Sequence, residues 1–110
     1  MGNSTIPIQI PVKLYSGALS LGDSNTLVIT FPNEGHFLIV AKNRRTSGKP
    51  FACVVQKYQA TTNYQILSNG QETMSTSNIS SGTGGIKVTM PDTYYDVSVI
   101  GSCAFTLSTS

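Results

Sequence analysis

Apolar and polar residues alternate along nearly the whole chain. Ile6, Ile8, Ile10, Val12 and Leu14 keep a strict period of two, as do Leu27, Ile29 and Phe31. Ile86, Val88 and Met90, then Tyr95, Val97 and Val99, then Cys103, Phe105 and Leu107 repeat the pattern. Successive side chains of a strand point to opposite faces, so this period gives each segment one face for a core and one for solvent or a partner. No stretch carries the 3.6-residue period of an amphipathic helix.

The first run, Ile6 to Leu14, carries Pro7 and Pro11 on its polar parity, which places it at a sheet edge or makes it a lead-in, because proline cannot donate to a ladder. Residues 1 to 5 read as a linker or disordered start, and Ser16 to Asn25, with two glycines and Asp23, as a loop. Thr26 to Phe31 is a strand stopped by Pro32-Asn33-Glu34-Gly35, a turn in which Asn33 or Gly35 is suited to positive φ. His36 to Lys42 contains the continuous run Phe37-Leu38-Ile39-Val40 and reads as a central strand buried on both faces. A basic loop, Asn43 to Pro50, separates it from a hairpin partner, Phe51 to Tyr58. Asn63 to Leu67 is a short strand closed by Asn69-Gly70, a two-residue hairpin signal, with the polar stretch Glu72 to Ile79 as its partner. After a glycine-serine turn, Ser80 to Gly85, come Ile86 to Met90, Tyr94 to Ile100 and Cys103 to Ser108. The reading is a single all-β domain over residues 1–110, an antiparallel β-sandwich of about eight strands with jelly-roll-like topology.

Composition sharpens this picture in one respect. Only 11 % of the 110 residues are charged, against roughly 25 % in an ordinary globular domain, and Ser, Thr, Asn and Gln take their place. Neutral, hydroxyl-rich outer faces suit extracellular sandwiches, lectin-like modules and viral coats or fibres. A net charge of +2, from seven basic residues scattered along the chain, offers no stripe for neutralising successive phosphates and argues against nucleic acid as a partner. The opening Met-Gly-Asn-Ser-Thr is too polar for a signal peptide, and no run is long and apolar enough to insert in a membrane. Cys53 and Cys103, the two cysteines, both fall on inward parity. They could meet as an inter-sheet disulfide, but the polar start favours two small buried thiols.

Candidate chemistry is sparse. A hydrolytic triad needs a base, and His36, the only imidazole, follows a turn with no local partner, so it reads as a surface histidine. Asp23, Glu34, Glu72, Asp92 and Asp96 form no clustered acidic loop, and Asp23, Glu34 and Asp92 are turn residues. Cys53, Cys103 and His36 lack the close spacing of zinc ligands, so no metal, cofactor or catalytic residue is expected. Binding is the better-supported activity. Arg44 and Arg45 on the hairpin loop can grip a carboxylate or phosphate, and Tyr58 and Tyr94, opposite in parity to the core set, offer flat surfaces for a sugar ring or a subunit.

Three segments at the end of the chain, Gly85-Ile86-Lys87-Val88-Thr89-Met90, Tyr94-Tyr95-Asp96-Val97-Ser98-Val99-Ile100 and Phe105-Thr106-Leu107, resemble the C-terminal head domains of bacteriophage and prophage tail-fibre or receptor-binding proteins. The decapeptide Gly22-Asp-Ser-Asn-Thr-Leu-Val-Ile-Thr-Phe31 shares that texture. The resemblance implies a β-sandwich that follows a fibre shaft, is typically trimeric, and binds host cell-surface saccharide or serves as a structural cap. The expectation is a non-enzymatic module of a virion, made in the host cytoplasm, acting as a homotrimer in attachment or particle architecture. The alternative is a free-standing extracellular carbohydrate-binding module.

Overall fold

The computed structural model describes residues 14–71 and 74–110, in nine strands and one short 3₁₀ turn. The strands are β1 (Tyr15–Ser20), β2 (Thr26–Thr30), β3 (Gly35–Asn43), β4 (Phe51–Tyr58), β5 (Thr61–Asn69), β6 (Ile79–Ser81), β7 (Gly85–Thr89), β8 (Tyr95–Gly101) and β9 (Thr106–Thr109), with the 3₁₀ turn at Thr76–Asn78. One sheet has the order β1-β8-β3-β4-β5 and the other β6-β7-β2-β9, every pairing antiparallel. The strands β3, β4 and β5 follow one another directly, and β8 returns beside β3, which makes β8-β3-β4-β5 a Greek key. The protein is an all-β sandwich. The part of the predicted first strand at residues 6–13, and the linker at 1–5, lie outside the described residues.

The alternation dictates what is inside. Leu27 and Ile29 of β2, Ile86 and Val88 of β7, Phe37, Ile39 and Ala41 of β3, Phe51, Cys53 and Val55 of β4, and Val97 and Val99 of β8 form one buried cluster. Phe31 stacks on Phe37 with ring centroids 4.0 Å apart, and Phe105 meets Phe37 edge-on at 5.9 Å. These rings fasten the end of β2 and the approach to β9 onto the larger sheet. Gly101 sits opposite Phe37 in the ladder, and a Cβ there would enter the Phe37 ring, so the glycine makes room for that stack.

Several expectations need correction. Residues 15–20 are a strand paired with β8, and Gly17 hides its alternation: it occupies an inward position where a Cβ would press on Phe105 and Leu107 at 3.1–3.2 Å. The strand β3 is central, but it is fully buried on one face only, since Leu38 and Val40 stay half-exposed on the other. Asn69-Gly70 does not close a hairpin. Gly70 has φ +76°, the Met74 amide donates to the Asn69 carbonyl at 2.7 Å, and the buried Met74 side chain draws the chain into the core and across to the second sheet. The predicted polar partner is instead a Ser75-capped 3₁₀ turn followed by β6, which pairs with β7. Neither Asn33 nor Gly35 has positive φ. Gly35 is needed for close approach, because a Cβ would lie 2.8 Å from both Cys103 Sγ and Ser102 Oγ.

Candidate functional site

Three of the four predicted binding residues converge at one end of the five-stranded sheet. Asn43, the last residue of β3, keeps inward parity and is buried. Its Oδ1 accepts the Arg45 backbone N–H at 2.8 Å, an Asx turn that starts the loop. The Lys42 ammonium donates to the Thr46 carbonyl at 2.9 Å and so ties the loop back to the strand. The loop is then stitched to its neighbours: the Arg44 N–H donates to the Tyr94 carbonyl at 3.0 Å, and the Tyr94 N–H donates to the Gly22 carbonyl at 2.9 Å.

With both of its backbone groups held in this way, Tyr94 adopts φ +67°, the left-handed region that an aromatic residue rarely occupies. The expected strand therefore begins at Tyr95, and Tyr94 forms a corner before it. The corner turns the phenol ring beneath the basic loop. The Arg45 Cζ lies 3.7 Å from the ring centroid, a stacked guanidinium, and the Arg44 Cζ lies 5.5 Å from it. Arg44 also faces Asp96, Nε to Oδ1 3.4 Å, across an exposed gap where such a pair contributes at most about 1 kcal/mol. Among the described residues no carboxylate comes within ion-pair distance of Arg45. The arrangement presents one exposed guanidinium over an aromatic ring, without a carboxylate partner among the described residues, beside a second that faces Asp96.

Tyr58 is elsewhere. It lies at the far end of β4, next to the turn where Gln59 takes φ +54° and donates its N–H to Glu34 Oε2 at 2.8 Å. Gly35 of β3 pairs with Lys57, so Tyr58 is separated from the arginines by nearly the length of β3, about 27 Å at the rise of an antiparallel strand. Tyr58 is 56 % exposed. Tyr94 and Tyr58 thus cannot form one aromatic platform, and the face of Tyr94 is already occupied by Arg45.

Both cysteines are free thiols. Burial pushes Cys53 up to about 11, against a weaker opposing pull from a hydrogen bond with the Gln65 backbone. Cys103 is in a bend before β9 rather than in the strand; it is partly exposed, and its Sγ faces the Asn33 carbonyl at 3.6 Å. Burial raises its pKa as well, partly offset by the charge of Lys57. His36 lies on the outer face of β3, where its backbone exchanges hydrogen bonds with Ser102.

Comparison with protein-family models, with curated proteins and with solved structures finds no match to this chain.

The Arg45–Tyr94 stack has no sequence motif. Its two halves are 49 residues apart, and only the corner that places Tyr94 in the left-handed region brings them together.

Proposed function

We propose that this domain is a non-enzymatic β-sandwich module of a phage-like particle, acting in attachment through contact with anionic saccharide of a host surface. The observation that carries this reading is the Arg45 guanidinium stacked on Tyr94 with no acidic partner among the described residues. A planar fork held by an aromatic face loses little further freedom when it takes a carboxylate, sulfate or phosphate in bidentate fashion. The scarcity of charge over the rest of the surface leaves the Asn43 to Pro50 loop as the local positive feature that steers an anion. The texture of the terminal segments supports the virion setting, and a homotrimer is part of the same proposal.

Retention on immobilised heparin or alginate, with neutral dextran as the control, tests it. Replacing Arg44 and Arg45 together with Ala should weaken binding to the anionic matrices about tenfold and flatten its salt dependence. The thermal midpoint should barely move, since exposed charges contribute little to folding. Unchanged retention in the double variant, with retention on dextran abolished by Tyr58→Ala, would replace this reading with a lectin-like aromatic site at the other end of the sheet.

A further inference from the structure

The outer face of the five-stranded sheet carries an apolar hollow of about 640 Å³. Its floor is a rung of side chains in direct register: Ile100 of β8 opposite Leu38 of β3, and Leu38 opposite Val54 of β4. The next rung towards the Asn43 end runs Ala18, Ser98, Val40, Ala52. Among the described residues, the large hydrophobic residues that stay exposed are Leu14, Val54, Tyr58, Leu67 and Ile100. All belong to this side of the molecule: Leu14 lines the hollow, and the others have the outward parity of β4, β5 and β8. The outer face of the other sheet is different. Its central rung is Ser80, Lys87, Val28, Ser108, flanked by Thr26, Thr30 and Thr89. Apolar exposure concentrated on one face of one layer marks a surface that meets a partner.

We infer that this face is where copies of the chain meet, the outer sheet of each being covered by a second copy. This contact surface belongs to the homotrimer of the proposed function and rests on that reading. Charge selects the occupant. The Ile100 and Ala18 rungs carry no charged side chain from β1 to β5, and the rung beyond sets Lys42 against Asp96, opposite charges in register. A face without net charge gives a highly charged partner nothing to pair with, whereas two copies approach each other without like-charge repulsion. The area is sufficient. Five strands at about 4.8 Å and the seven residues of β8 at about 3.4 Å make a face of about 600 Å². Two such faces bury about 1,200 Å² when they meet, which reaches the range of specific interfaces.

Light scattering after size exclusion reads the contact in full-length protein. The Val54→Asp, Ile100→Asp variant places two carboxylates per copy on the Leu38 rung, and its mass should fall from three chains to one at the same micromolar concentration. Both side chains point away from the core, so its melting transition should stay cooperative. Leu67→Lys, at an exposed position of the edge strand β5, is the milder change and should shift the mass towards one chain on dilution. Lys87→Asp, on the outer face of the other sheet, should leave three. A parent trimer that neither the double variant nor Leu67→Lys dissociates would overturn this surface and leave the homotrimer standing. Dissociation by Lys87→Asp as readily as by the double variant would overturn it as well. A parent dimer that the double variant and Leu67→Lys both dissociate would support the surface and overturn the count of three. A monomeric parent would overturn the surface and the homotrimer together, leaving the Arg45 site to be judged on heparin and alginate.

Discussion

Tyr94 shows how one residue can carry both strain and a site. A left-handed conformation costs a non-glycine residue about 1–2 kcal/mol, and here it is held by hydrogen bonds from both sides of the peptide. Changing Tyr94 to Ala should remove the Arg45 stack and keep the strain, whereas Tyr94→Gly should remove both. We expect the two variants to lose anionic-matrix binding alike, with the glycine variant more stable by about 1 kcal/mol in chemical denaturation. Equal stability of the two would show that the corner is not strained. Cys53 supplies a second test at this scale. Its pKa is raised in the fold to about 11 from an ordinary 9.0, so between those values the native protein holds a proton that the unfolded chain releases. The stability this contributes is complete below about pH 9 and is lost as pH rises towards 11. The denaturation midpoint should fall across that window, and Cys53→Ala should remove part of the fall. An identical pH profile in the variant would rule out the thiol as its source.

At the scale of the element, two glycines of the β6–β7 hairpin make opposite predictions. Gly85 begins β7 opposite Thr30, and a Cβ there would run into the Ile29 backbone carbonyl, an atom that cannot swing aside. Gly82, in the turn three residues earlier, has open space around its Cβ position. Gly85→Ala should therefore cost about 2–3 kcal/mol or more through displacement of β2 from β7, while Gly82→Ala stays within about 0.5 kcal/mol of the parent. Urea denaturation of the two variants side by side checks the contrast, and a tolerated Gly85→Ala would mean that the hairpin has room to shift. These strands were legible where alternation is strong. β4 runs from Phe51 to Tyr58 as its pattern predicts, and β2, β7 and β8 fall within a residue of theirs. β1 was hidden because Gly17 interrupts the apolar parity, and the start of β5 because its turn uses Gln59, a residue with no turn signature, held by Glu34 from a distant loop.

For the whole molecule, the proposal of a homotrimer makes a direct demand: light scattering after size exclusion should give three times the 11.7 kDa chain at micromolar concentration. A monomer at that concentration removes the trimer from the proposal. The geometry adds one constraint. The basic site is at the Asn43 end of the five-stranded sheet and the apolar hollow reaches the Gly101 end of β8, so an assembly that buries one need not cover the other.

The sequence by itself determined the class of the fold, the inward set of most strands and the absence of helical order in the described core, because period-two alternation is a local property of the chain. It also identified Arg44, Arg45, Tyr58 and Tyr94 as the residues worth testing. Only the tertiary structure decided how these are distributed, joining the first two to Tyr94 and sending Tyr58 to the opposite end. It also decided that Asn69-Gly70 leads across to the second sheet instead of closing a hairpin. Both outcomes depend on non-local contacts: Tyr94 is fixed by carbonyl and amide groups of Gly22 and Arg44, and Met74 by the core it enters. Alternation tells a strand which face to bury, but carries no information about which strand lies beside it or where its ends meet.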